Sequence, residues 1–394
     1  MKKIILIILS IFLITGCSSN YKELNDLLIV TALEIDKVDD NYKVIIQVVN
    51  PKNQNDTSSA NQTDFITYES TGITIQDALR NIISKSTQKI YGVHSQILVI
   101  SESLAKEDLS SIYDFFFRDI SVRKEFYVII DTTDDNEKLL QILTPLINLS
   151  SQSIYETLIT NNKYMGVATL VKFSEIMDIY LDDNKELLLP TIHIEGNNYI
   201  GTDEENLETS DTDANLVLGN LAIFKDEKLL GYLTKEESIS ANIINNNVQN
   251  ILFNHKCDND NYISEEINIK SSDIKIDTDN KKVIINIKGN GYISEYNCNR
   301  DLTNVEVIKE INNDLNKYVK EYITSSIYSI NSKYNTDIYG IRDVLYKKYY
   351  KYYKQVNDNY YEEFFDDLTY EVNVNLNLSK KGNIIGGAYE KQKN

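Results

Sequence analysis

Three cysteines and three histidines carry most of the reactive chemistry open to this 394-residue chain. A thiol can ligate a metal, act as a nucleophile, pair with a second thiol or carry a lipid, and its surroundings decide which. Cys17 follows an apolar run, whereas Cys257 and Cys298 lie near the two ends of a series of period-2 apolar segments. His94, His193 and His255 are far apart and share no ligand spacing. HExxH, a CxxC pair and GxSxG are all missing, so no zinc-protease or serine-hydrolase pattern is present. Asp258-Asn259-Asp260-Asn261 followed by Glu265 hints at a calcium loop. It lacks the central Gly and the distal Glu of an EF-hand and reads as a polar turn. Gly289-Asn290-Gly291, a lone GxG between strand-like segments, also reads as a turn. Asp182-Asp183 and Asp366-Asp367 are sequence neighbours, and a glycosidase would need carboxylates brought together by folding. The expectation is a protein without catalytic residues and without a metal.

Cys17 has the most specific surroundings. Residues 1–16 have the three-part form of an export signal: Lys2 and Lys3, then an almost unbroken apolar run from Ile4 to Ile14, then small residues at Thr15 and Gly16. The apolar run is about eleven residues, or roughly 16 Å as a helix, against a hydrocarbon core of about 30 Å, and is too short to span. Leu13-Ile14-Thr15-Gly16-Cys17 resembles the bacterial lipobox. The resemblance implies cleavage between Gly16 and Cys17 and a covalent diacylglycerol on Cys17, with no other cofactor. Two acyl chains hold a protein on a bilayer stably where one would not. Residues 17–25 then read as a lipidated tether, and the body sits on the outer face of the bacterial cytoplasmic membrane.

The formal charge is −19; losing Lys2 and Lys3 with the signal leaves −21. That balance argues against nucleic acid or an anionic lipid surface as the partner. Lys347-Lys348-Tyr349-Tyr350-Lys351-Tyr352-Tyr353-Lys354 has the look of a basic-aromatic nucleic-acid surface. Glu362-Glu363 and Asp366-Asp367 follow at once, however, and a helix with Tyr packed and Lys in solvent is the preferred reading. Outside a membrane a disulfide between Cys257 and Cys298 is open, and so are two unpaired thiols.

The elements alternate. Segments 27–36, 42–50, 65–71, 96–101 and 125–131 read as strands. Helices are expected after Thr74, where Asp77 completes a capping box, at 104–117, at 134–143 and through 151–182. Residues 201–215 are acidic and read as a linker. Beyond them, 220–234 form a hairpin with Asp226-Glu227 at its tip, 235–247 a helix, and period-2 Ile and Val positions several strands. Residues 303–332 form a long amphipathic helix through Ile311, Leu315, Val319 and Ile323 that covers those strands. Tyr370 to Ser379 alternates cleanly as a half-wet strand. The fold class is mixed α+β and α/β, with mixed and antiparallel sheets flanked by helices. The expected domains are an N-terminal α/β unit at 26–200 and a C-terminal α+β unit at 216–382, divisible in two, with a tail at 383–394.

In this order and spacing the chain resembles the Ger(x)C family of spore-germination lipoproteins. The resemblance rests on Glu23 to Leu27 and Ile29 to Ala32, on His94-Ser95-Gln96, on Phe115-Phe116-Phe117-Arg118-Asp119 with Val122-Arg123, on Gly219 with Leu221 to Lys225, and on Asp337-Ile338-Tyr339-Gly340. It departs at Ser18, where the family often has Trp, and at Ile341-Arg342, where a second Gly is common. It implies a non-enzymatic subunit of a nutrient germinant receptor at the spore inner membrane, whose partners are A and B subunits with membrane spans. Phe117, Arg118, Asp119 and Arg123 are then candidates for a partner contact, since aromatic residues and Arg are enriched at hot spots. The competing reading packs the Phe side chains in the core and pairs Arg118 or Arg123 with Asp119 or Glu125. Two other function classes stand behind this one. A solute-binding lipoprotein of a transporter requires two α/β lobes around a cleft, and a wall-active hydrolase requires convergent acids or a metal.

Overall fold

The computed structural model describes residues 26–50, 63–86, 88–119, 122–133, 136–181, 184–208, 210–257 and 261–380. The signal at 1–16, the tether at 17–25 with Cys17, and the tail at 383–394 lie outside them.

Strands β1 (Leu27–Val38) and β2 (Asn41–Val49) form an antiparallel hairpin. At its tip Asp39 and Asp40 both take positive φ, 49° and 65°, a conformation short polar side chains tolerate. Strand β3 (Phe65–Gly72) adds to β2, and helix α1 (Ile75–Ile82) turns back over it. Thr74 caps α1 by accepting from the Asp77 N–H at 3.1 Å. The Asp77 carboxylate takes the N–H of Ile73, not that of Thr74, so the expected box is only half made. Short β4 (Lys89–Tyr91) and β5 (Ile97–Ser101) both run parallel to β1.

The helix expected at 104–117 is two helices, α2 (Glu102–Glu107) and α3 (Ser110–Arg118). The break falls at Asp108, whose φ of −176° is extended. Strand β6 (Tyr127–Asp131) follows, then a 3₁₀ turn at Asn136–Gln141 in place of the α-helix expected at 134–143. Helices α4 (Ser150–Tyr164) and α5 (Phe173–Leu181) lead into β7 (Leu188–Gly196).

The stretch 201–215, expected as a linker, connects β7 to its sheet neighbour β8. Short helices α6 (Asn198–Gly201) and α7 (Glu205–Glu208) lead into β8 (Ala214–Lys225), which lies antiparallel to β7. Asn206 is fully buried there and holds Leu143, Ala214 and the local backbone through its amide. Strand β9 (Lys228–Tyr232) closes a nine-stranded sheet of order β3-β2-β1-β5-β6-β7-β8-β9, with β4 beside β1. Acidic composition marked an exposed connection correctly in polarity, but that connection joins neighbouring strands of one sheet.

Helix α8 (Lys235–Ile244) begins with a complete capping box, Thr234 with Glu237, and is buried from Glu237 to Ile244. Then β10 (Asn250–Lys256), β11 (Tyr262–Asp277) and β12 (Lys282–Tyr296) run antiparallel. Helix α9 (Val305–Tyr334) covers them through Ile311, Leu315, Val319, Ile323, Ile327 and Ile330. Helices α10 (Ile341–Lys348), α11 (Tyr350–Val356) and α12 (Tyr360–Glu363) lead to β13 (Thr369–Lys380), which joins β12 in parallel. Gly289-Asn290-Gly291 is not a turn but the middle of β12. A Cβ at Gly291 would stand 2.2 Å from the Glu266 carbonyl oxygen, so the strand needs glycine for the approach of its neighbour. The second sheet has four strands, antiparallel except for the parallel β12–β13 pair, and one long helix covers it. The core of this half also takes in Leu188, Leu221 and Ile223 of the large sheet, so the two sheets share buried surface.

Candidate functional site

The Phe115–Arg123 block lies on α3 and just beyond it. Phe116 is fully buried against Phe126 and Phe173, with ring centroids 5.1 and 5.0 Å away. Phe117 is half-buried and packs on Tyr113 and Tyr180. Arg118 is 80% exposed and pairs with Asp114 one helical turn back, Nε to Oδ1 2.8 Å, not with Asp119. An ion pair so exposed contributes little to stability. Arg123 is exposed and adds a weak attraction at Glu125, whose carboxyl is held below its ordinary range chiefly by the hydrogen bond from Lys172. Two clefts meet here. One, of about 850 Å³, is lined by Tyr42, Ser111, Asp114, Phe115 and Arg118. The other, of about 650 Å³, is floored by Val30, Leu33, Leu79, Ile90 and Phe116. Gln76, Phe115 and Asp119 line both. This combination of half-exposed aromatics and charged rims is suited to docking.

The Asp337-Ile338-Tyr339-Gly340 turn is structural. Asp337 is buried and its carboxylate accepts from the N–H groups of Ile341 and Arg342 at 2.9 and 2.8 Å and from the Tyr360 hydroxyl at 2.9 Å. It caps α10, and Gly340 supplies the positive φ of 68° that starts the helix. Burial pushes the Asp337 carboxyl up while these donors pull against it. Close by, Tyr361 donates to Glu186 at 2.8 Å and Tyr353 to Asn184 at 2.9 Å, tying α11 and α12 to the segment before β7. The Lys-Tyr stretch is divided: Lys348 reaches Asp273, Tyr349 is packed, and Tyr346 and Tyr350 remain about half exposed.

Cys257 and Cys298 are joined as a disulfide with Cα atoms 6.2 Å apart. Nearby lies the inner face of β10 and β11, the strands it brackets with β12. There His255 and Glu265 are both buried and 3.2 Å apart, and His255 stacks on Tyr318. Burial raises the Glu265 carboxyl, and His255 only partly offsets this. Sequence reasoning passed over this pair. The signal was available: Glu265 shares the inward parity of Ile263 and Ile267, and His255 that of Ile251 and Phe253. His94 and His193 lie elsewhere, on the short turn after β4 and on β7. Among the described residues no group of His, Cys, Asp or Glu is arranged to hold a metal ion, and no helix is long and apolar enough to cross a membrane. Cys17 and Gly16 lie outside the described residues.

Comparison with known proteins agrees across the whole fold. The family model described as "Spore germination protein N-terminal domain" matches residues 20–194, and "Spore germination B3/ GerAC like, C-terminal" matches residues 219–382. Spore germination protein KC of Bacillus subtilis is 25% identical over 96% of this chain and 95% of its own length. Spore germination protein B3 of the same organism is 20% identical over 94% and 95%. The crystal structure of the GerBC protein superposes with a TM-score of 0.51 at 16% identity, covering 88% of this chain and 97% of that one. With both halves matched in order, the chain belongs to the GerAC-like family of spore germination proteins.

Proposed function

We propose that the chain is the lipid-anchored, non-catalytic C subunit of a nutrient germinant receptor. A diacylglycerol on Cys17 holds it at the outer face of the spore inner membrane, where it assembles with membrane-spanning A and B subunits to trigger germination. The observation that carries this reading is similarity to spore germination protein KC along 96% of the chain. The lipobox-like Leu13–Cys17 and the lack of a metal-holding cluster among the described residues support a scaffold reading. Anchoring confines the body near integral partners and raises its effective concentration for them. Spores carrying Cys17→Ala test it. Reduced nutrient-triggered germination is expected, together with loss of the protein from the membrane fraction. A wild-type response from spores whose protein carries no lipid would remove the anchor from the account.

A further inference from the structure

We propose that the surface formed by α1, the 3₁₀ turn after it and β4 rests on anionic phospholipid headgroups, so that the lipid anchor fixes a definite face of the protein against the bilayer. This rests on the lipidation of Cys17 proposed above.

Three independent observations point to this face. The first is where the tether enters. Leu27, the first residue of β1, pairs with Lys89 of β4. Only residues 18–26 separate Cys17 from it, a reach of at most about 35 Å even fully extended. Whatever face surrounds the head of β1 is therefore held close to the membrane.

The second is charge. The chain has 59 acidic residues, yet between Asp77 and Glu102 there is none, while Arg80, Lys85 and Lys89 all fall there. Arg80 and Lys89 are exposed, line the same groove and form no ion pair among the described residues. Lys85 bonds only a backbone oxygen, that of Glu69, at 2.8 Å. Four acidic groups are at hand: Asp119 on the groove wall, Asp26 at the head of β1, Asp77 in the first turn of α1, where it accepts from the Ile73 N–H, and Glu69 on β3 beside Lys85. The −19 of the whole chain does not describe this patch, because beyond about 8–10 Å charges are screened at physiological salt.

The third is apolar exposure at the same place. Ile83 is 47% exposed between Arg80 and Lys85, and Ile90 and Val122 are half-buried in the groove behind it. A cationic rim around an exposed aliphatic side chain matches the headgroup layer of an anionic bilayer, where each cation strengthens attachment roughly fivefold.

The test uses the full lipidated chain reconstituted in vesicles of phosphatidylglycerol with phosphatidylcholine, or of phosphatidylcholine alone. Ile83→Cys carries a nitroxide, with Lys317→Cys on α9 as the reference, since Lys317 is 76% exposed. Co-flotation of protein with vesicles reports the anchor, and collision of the nitroxide with a water-soluble relaxant reports the face. The expected result is strong shielding at position 83 but not 317, only with phosphatidylglycerol, relieved by salt and by Arg80→Glu with Lys89→Glu. Equal accessibility of position 83 in both vesicle types, with co-flotation intact, overturns this inference and leaves the anchor standing. Shielding that requires added receptor subunits overturns it in favour of a protein contact. Failure to co-float overturns the anchor on which it rests.

Discussion

Replacing both Cys257 and Cys298 by Ser should lower the stability of the C-terminal sheet by about 4 kcal/mol. The figure follows from the 41-residue separation of the two cysteines, through the chain-entropy model of a cross-linked unfolded state. The bridge joins the chain just after β10 to the chain just after β12, so it closes a loop containing β11, β12 and the whole pairing between them. Noncovalent ties hold the same corner: Arg300 donates to the Cys257 carbonyl at 2.6 Å, and Tyr296 to the Arg300 carbonyl at 2.9 Å. These survive the substitution, so the native fold should persist and the loss should come from the freed unfolded chain. Urea unfolding at neutral pH, followed by far-UV circular dichroism and by amide exchange in β10–β12, measures it. The slope of free energy against urea should also rise, because an uncrosslinked chain exposes more surface. A doubly substituted protein within about 1 kcal/mol of the parent, with an unchanged slope, would refute the reasoning. So would a parent whose two thiols alkylate without reductant.

Phe116→Ala should cost roughly 3–5 kcal/mol, because it empties a fully buried ring site between Phe126 and Phe173. Arg118→Glu should change thermal stability by less than about 0.5 kcal/mol, since its ion pair is exposed. If Arg118 is a partner contact, that same variant should fail to co-purify with the membrane-spanning subunits, and unchanged co-purification would retire the role. Glu265 gives a pH dependence. Its folded carboxyl is raised by burial, so its favourable contribution is complete below the ordinary Glu range and is lost as pH rises through the folded value. Urea midpoints should therefore fall more from pH 4.5 to 7.5 in the parent than in Glu265→Gln, and parallel curves would contradict this. His255→Ala should cost about 3 kcal/mol by emptying a buried site stacked on Tyr318 and leaving the buried Glu265 carboxyl without its neighbour, read as a lowered melting temperature.

How much was legible in advance can be judged element by element. Segment parity and spacing located the β1–β2 hairpin, the Asp226-Glu227 turn, the long α9 and the alternating β13, because each is set by local periodicity and turn chemistry. Local pattern could not show that β8 and β9 close the large sheet, since pairing β7 with β8 depends on contacts the acidic stretch between them does not encode. Nor could it distinguish Gly289-Asn290-Gly291 as a turn from the same residues inside β12, where crowding by the β11 backbone decides. The capping box expected at Thr74 formed only in half, while Thr234 and Glu237, of the same pattern, made the complete one.

Sequence by itself determined the chain's family, its strand and helix periodicities and the charge that disfavours nucleic acid as a partner, because these are properties of residue type and order. The proposed lipobox at Cys17 rests on residue order. Tertiary structure alone decided which residues meet. It placed Arg80 and Lys89 on one groove beside the head of β1, set Arg118 against Asp114, and buried His255 beside Glu265. Such proximities arise from packing between elements distant in sequence, and no local spacing carries them.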